Sequence, residues 1–148
     1  MINDVLIWLK TFYTVSEIKI LAAGSILGAC FSFAIGGVDN QVWALLGFAL
    51  ADYITGWAAA SRRDEISSRK GYKGMQKKIA MFAAVAVAYW ADVAMGTNTL
   101  RSMALFGFAI VEVTSLLENI DRLGYGRYIP AFLRNKLIQI REEKGIKL

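Results

Sequence analysis

Histidine is absent from this 148-residue sequence, and cysteine and proline occur once each. Without histidine there is no imidazole general base, no His-ligated metal site and no Ser-His-Asp triad. Cys30 alone cannot close an internal disulfide, and inside an apolar run it reads as a small buried thiol. A GxxxxGK[ST] phosphate loop is missing, as is any nucleic-acid recognition motif. Together these gaps argue against catalysis, a resident cofactor, a metal centre and a nucleic-acid partner. The start of the chain does not read as a cleaved secretory signal. Leu27-Gly28-Ala29-Cys30 imitates a lipoprotein processing box, but the run stays apolar through Phe31, Phe33 and Ile35.

What is abundant is apolar sequence: 56% of residues are hydrophobic and the mean hydropathy is +0.42. That is too apolar for a soluble domain of this length. A membrane span needs about 20 apolar residues, because a rise of about 1.5 Å each must cross about 30 Å of hydrocarbon. Segments 20–38, 41–60, 79–96 and 102–120 qualify, the first with no charge at all. The expected fold is therefore an all-α integral membrane protein with four transmembrane helices, built as a single membrane domain over residues 1–148.

The charges are partitioned sharply. Lys10 and Lys19 precede the first span; Arg62, Arg63, Arg69, Lys70, Lys73, Lys77 and Lys78 fill the connector 61–78; the remaining basic residues, apart from Arg101, follow residue 120. The positive-inside rule then places both termini, the connector and the tail 121–148 in the cytoplasm. A net charge of +5 fits anchoring to anionic lipid headgroups. Amphipathic interfacial helices are expected at both ends. Near the N-terminus the pattern is Val5, Leu6, Trp8, Leu9, Phe12 and Tyr13; near the C-terminus it follows Pro130, with Phe132, Leu133, Leu137 and Ile140 opposite Arg134, Lys136 and Arg141.

Against this apolar background, Asp52, Asp92 and Glu112 stand inside spans two, three and four. A carboxylate at that depth costs about 2.5–3.5 kcal/mol on insertion scales, so it faces other helices or water and marks function by default. Thr55, Ser115 and Glu118 extend the polar set, giving six candidates for pore-lining positions. Small residues recur every four positions at Gly24, Gly28, Ser32 and Gly36, at Asp52, Gly56 and Ala60, and at Ala80, Ala84, Ala88 and Asp92. Such ridges let helix backbones approach closely, and in the first span the step of four favours right-handed crossings of the GxxxG type.

Two stretches carry a resemblance. Asp52-Tyr53-Ile54-Thr55-Gly56 precedes a connector reading Ser67-Ser68, then Gly71-Tyr72-Lys73-Gly74, then Lys77-Lys78; further on stands Glu112-Val113-Thr114-Ser115-Leu116-Leu117-Glu118-Asn119, with Gly124 and Pro130 downstream. In order and spacing this resembles the toxin-secretion/phage-lysis holin family, over about residues 40–135; Asp92 matches a late aspartate of that pattern. The resemblance implies a homo-oligomer that accumulates in the host bacterial cytoplasmic membrane and opens lesions. Through these an endolysin reaches the cell wall, or a large toxin is exported, without required direct contact. It also implies the connector residues Ser67, Ser68, Gly71, Lys73, Gly74, Lys77 and Lys78 as a motif. Two other readings stand beside it: a small proton-coupled multidrug exporter, whose acidic residue would belong in the first span, and an accessory structural membrane subunit.

Overall fold

The computed structural model describes residues 3–5, 7–8, 14–63, 66–133, 135 and 139. Most of the residues carrying the two amphipathic patterns, including Leu6, Leu9, Phe12, Tyr13, Arg134, Lys136, Leu137, Ile140 and Arg141, lie outside the described residues. The described chain is helical with no strand, and four of its helices are long and apolar enough to cross a membrane. It separates into two compact units, Met1–Gly37 and Val38–Leu148.

The first unit contains α1, Val15–Ile35. Thr14 and Glu17 close a capping box: the Glu17 amide donates to Thr14 Oγ1 at 3.3 Å, and the Thr14 amide donates to Glu17 Oε2 at 2.6 Å. This fixes the helix start five residues before the apolar run expected from residue 20. The other end arrives three residues early. Gly36 takes φ 78° and Gly37 φ 100°, a left-handed stop, with the Gly37 amide on Ser32 O at 2.7 Å. Gly36 thus caps the helix instead of continuing a ridge along it.

In the second unit, α2 spans Asn40–Ser61, α3 Ser68–Met95 and α4 Thr99–Ile120. A π-helical turn, Asp121–Tyr125, and a 3-10 turn, Gly126–Tyr128, follow. Asp39 caps α2 through the Val42 amide at 3.0 Å. α3 begins at Ser68, so the hydrophilic connector expected over 61–78 is mostly helix. α4 lies between its neighbours: its contact with α2 is the broadest in the unit, that with α3 is narrower, and α2 and α3 barely meet.

The buried positions have a period of 3.5 residues. On α2 they are Val42, Leu45, Ala49 and Ala59, with half-buried Asp52 and Gly56 filling the register; on α4, Leu105, Glu112 and Asn119 recur every seven. α3 follows suit with Gly71, Gly74, Lys78, Met81, Val85, Ala88 and Asp92 all buried or half-buried. Seven-residue repeats keep a seam facing its partner under left-handed winding, unlike a step of four. The four-residue ridge expected on α3 therefore diverges from the seam: Ala80 and Ala84 are exposed, and only Ala88 is half-buried. Large apolar side chains point outward, among them Trp43, Trp57 and Phe106 at 60–70% exposure, while carboxylates turn inward. In water that arrangement would be inside out; in lipid it is the stable one.

Candidate functional site: a buried ion bridge between three helices

Lys78 is the hub of the second unit's polar interior. Its ammonium donates to Asp52 Oδ2 on α2 at 2.8 Å and to Glu112 Oε2 on α4. The three side chains are only 10–17% exposed. Heptad register places them together: Lys78 precedes Met81 and Val85 by three and seven residues, Asp52 follows Ala49 by three, and Glu112 follows Leu105 by seven. The chain thus continues each apolar seam into a charged step where all three helices converge.

Asp52 is held a second time. Asn119, one heptad beyond Glu112, donates from Nδ2 to Asp52 Oδ1 at 2.9 Å and to the Asp52 carbonyl at 3.2 Å, and lies 3.4 Å from Thr55 Oγ1. Thr55 directs its hydroxyl to Ala51 O at 2.8 Å. Gly56 makes room for this: a Cβ there would stand 3.3 Å from Asn119 Nδ2. Counting helical rise from Asn40 and from Thr99, Asp52 and Glu112 lie about 18–20 Å from the short-turn end. That places them beyond the midpoint of a hydrocarbon layer of about 30 Å.

Asp92 does different work. Its carboxylate accepts from the Thr97 hydroxyl and from the backbone amides of Thr99 at 3.1 Å, Leu100 at 3.1 Å and Arg101 at 2.8 Å. These are orphan donors at the start of α4, so Asp92 caps the next helix from the end of its own. Nearby, Arg101 donates to Asp39 Oδ2 at 2.7 Å. That guanidinium is the main reason the Asp39 carboxyl sits below the usual carboxylate range; partial burial opposes it, and the Val42 amide assists it. At the opposite end, Arg62 Nη1 donates to the Leu123 carbonyl and its guanidinium lies 5.7 Å over the Tyr125 ring. Gly124, at φ 85°, turns the chain there.

The remaining expected residues are scattered. Ser115 is half-buried, and Glu118 faces Arg122 at 3.9 Å. Ser67 is the N-cap residue of α3 without a side-chain cap bond, and Ser68 is its first helical residue. Lys73 and Lys77 are exposed; Gly71 approaches the Tyr53 hydroxyl, and Gly74 has open space at its Cβ position. Gly24 and Gly28 are exposed on α1, and Ser32 is half-buried. Among the described residues no group of three potential metal ligands forms. In the sequence Lys78 is one of seven basic connector residues and Asn119 the last residue of the family-like stretch 112–119, while Asp39 and Arg62 carry no local sign of the partners they meet. Extending the 3.5-residue seam of α3 backwards from Val85 and Met81 reaches Lys78, and adding seven to Glu112 reaches Asn119.

The sequence profile of the bacteriophage holin family matches residues 29–142. An uncharacterized protein of Listeria monocytogenes is 39% identical over 119 residues, covering 80% of this chain and 84% of its own. Two uncharacterized proteins of Clostridium perfringens are also similar. One is 32% identical, covering 82% of this chain and 90% of its own; the other, a 14.9 kDa protein in the nagH 3′ region, is 31% identical, covering 80% and 89%. No solved structure matches. The profile takes in the residues that build the ion bridge, the Asp92 cap and the Arg62 contact, and with four span-length helices this multi-pass membrane protein belongs to the bacteriophage holin family.

Proposed function

We propose that this protein is a lesion-forming holin without catalytic activity: copies accumulate in the cytoplasmic membrane of a host bacterium, associate, and open a path for an endolysin or an exported toxin. The observation that carries the reading is the Lys78–Asp52–Glu112 bridge, charge concentrated inside apolar helices of a holin-family chain. Carboxylates buried at that depth are costly, and their retention fits a state in which they meet water. Asp52, Thr55, Glu112, Ser115 and Glu118 sit on α2 and α4 towards the basic end and are the positions that line the lesion. Asp92 is committed to its cap and holds the short-turn end together.

Both termini and the basic stretch before α3 face the cytoplasm. Arg69, Lys73 and Lys77 form an exposed ridge at the start of α3, suited to anionic headgroups of the inner leaflet. The test is culture turbidity in bacteria expressing this chain together with a cytoplasmic endolysin that lacks an export signal. Abrupt clearing after a delay, absent with either protein alone, is the expected result. Continued growth despite verified membrane insertion would overturn the proposal.

A further inference from the structure

We propose that Lys78 is a latch that closes the connector end of α3 against the α2–α4 pair, and that its release admits water to Asp52 and Glu112 while leaving that pair intact. This deepens the holin reading and takes its biological meaning from it. Three features of the second unit converge on it. First, α2 and α3 barely meet, so the Lys78–Asp52 bond is a principal link between them. Second, the stretch of α3 before Lys78 is held by little apolar packing. Among the described residues a Cβ at Gly71 would reach only the Tyr53 hydroxyl, at 3.7 Å, and one at Gly74 would meet open space, whereas Met81 and Val85 beyond Lys78 are buried.

Third, α2 and α4 have their own fastening. Asn119 holds Asp52 through Oδ1 and the backbone carbonyl, leaving Oδ2 to Lys78. Arg62 joins the end of α2 to the Leu123 carbonyl after α4. Losing the ammonium therefore frees the connector end of α3, which stays packed on α4 beyond Lys78, and breaks none of these bonds. Low apolar burial together with dependence on one side chain, Lys78, and its two carboxylate partners describes a segment that opens locally before the whole unit unfolds. Once Lys78 is gone, the two carboxylates have no counter-charge, and hydration becomes the favourable outcome.

The experiment uses the full chain in inverted membrane vesicles, with Cys30→Ser removing the native thiol and Met81→Cys placing one next to the latch. The readout is the rate of reaction with a membrane-impermeant maleimide, which requires water for the reacting thiolate. Adding Lys78→Met is expected to speed labelling about tenfold, the effect of about 1.4 kcal/mol on an opening equilibrium. Further addition of Asp52→Asn and Glu112→Gln is expected to return the rate towards the parent, because the closed state no longer buries unpaired charge. A thiol introduced by Val85→Cys should stay slow throughout. An unchanged rate with Lys78→Met, failure of the neutral triple variant to slow labelling, or acceleration at position 85 matching that at 81 would each overturn the latch. Lysis plays no part in this readout: latch behaviour without culture clearing would sink the holin reading alone, and clearing without latch behaviour would sink the latch alone.

Discussion

Asn119 and Gly56 show how closely single positions are set in the polar interior. Because Asn119 is fixed by Asp52, a methyl group at Gly56 has to push against a side chain that is already committed. Gly24 meets open space. Gly24→Ala should therefore gain up to about 1 kcal/mol from helix propensity, while Gly56→Ala should be destabilising by about 1–3 kcal/mol through overpacking. Unfolding midpoints of the two variants in detergent should move in opposite directions. Removing the ammonium itself leaves two carboxylates facing each other. Lys78→Ala should cost about 3 kcal/mol, the lower end for breaking a buried pair because the partners retain some exposure.

A weaker effect belongs to the Asp39–Arg101 pair, whose carboxylate is half-exposed. Since the folded state lowers the Asp39 pKa below 3.8, the contribution is complete above that value and is lost as pH falls through the lower folded value. Exposure limits it to about 1 kcal/mol or less. Asp39→Asn keeps an oxygen to cap α2, so between pH 5 and pH 3 it should lose less stability than the parent. Equal slopes would show that the ion pair adds nothing.

At the scale of elements, helix ends explain where sequence and structure diverge. Asp92 stands within an apolar run and invites an intramembrane reading, yet it lies four residues from the left-handed stop at Gly96, close enough to fold back onto the start of α4. Asp92→Ala should cost about 2 kcal/mol, the upper range for loss of a cap, because three amides and a hydroxyl lose one acceptor. Hydrogen exchange at the Thr99, Leu100 and Arg101 amides should accelerate, with α2 unaffected. The connector illustrates a second divergence. Its charge suggested a solvated link, but Arg69, Lys73 and Lys77 recur every four residues and form the exposed side of a helix whose other side carries Gly71, Gly74 and Lys78. A four-residue ridge and a 3.5-residue seam overlap at Ala88 and Asp92 on α3, and only packing against α4 selects between them.

At the scale of the whole molecule, the exposed apolar and buried charged side chains of the second unit fit a protein dissolved in lipid. Family membership and four span-length helices support that description, and the lytic role remains the proposal tested by turbidity. Local composition was enough to determine that helices of membrane-spanning length would form and roughly where, because a long apolar run can satisfy its backbone in lipid only as a helix or a closed barrel. The positions of Asp52, Asp92 and Glu112 within those runs were equally plain. Their division into bridge and cap was not, since it depends on which donors other helices bring within about 3 Å. Lys78 and Asn119 acquired their roles only when α3 and α4 closed on α2: an ammonium 26 residues from one carboxylate and 34 from another has no local signature of a partner, and only tertiary packing, by removing water from all three groups, makes their pairing decisive.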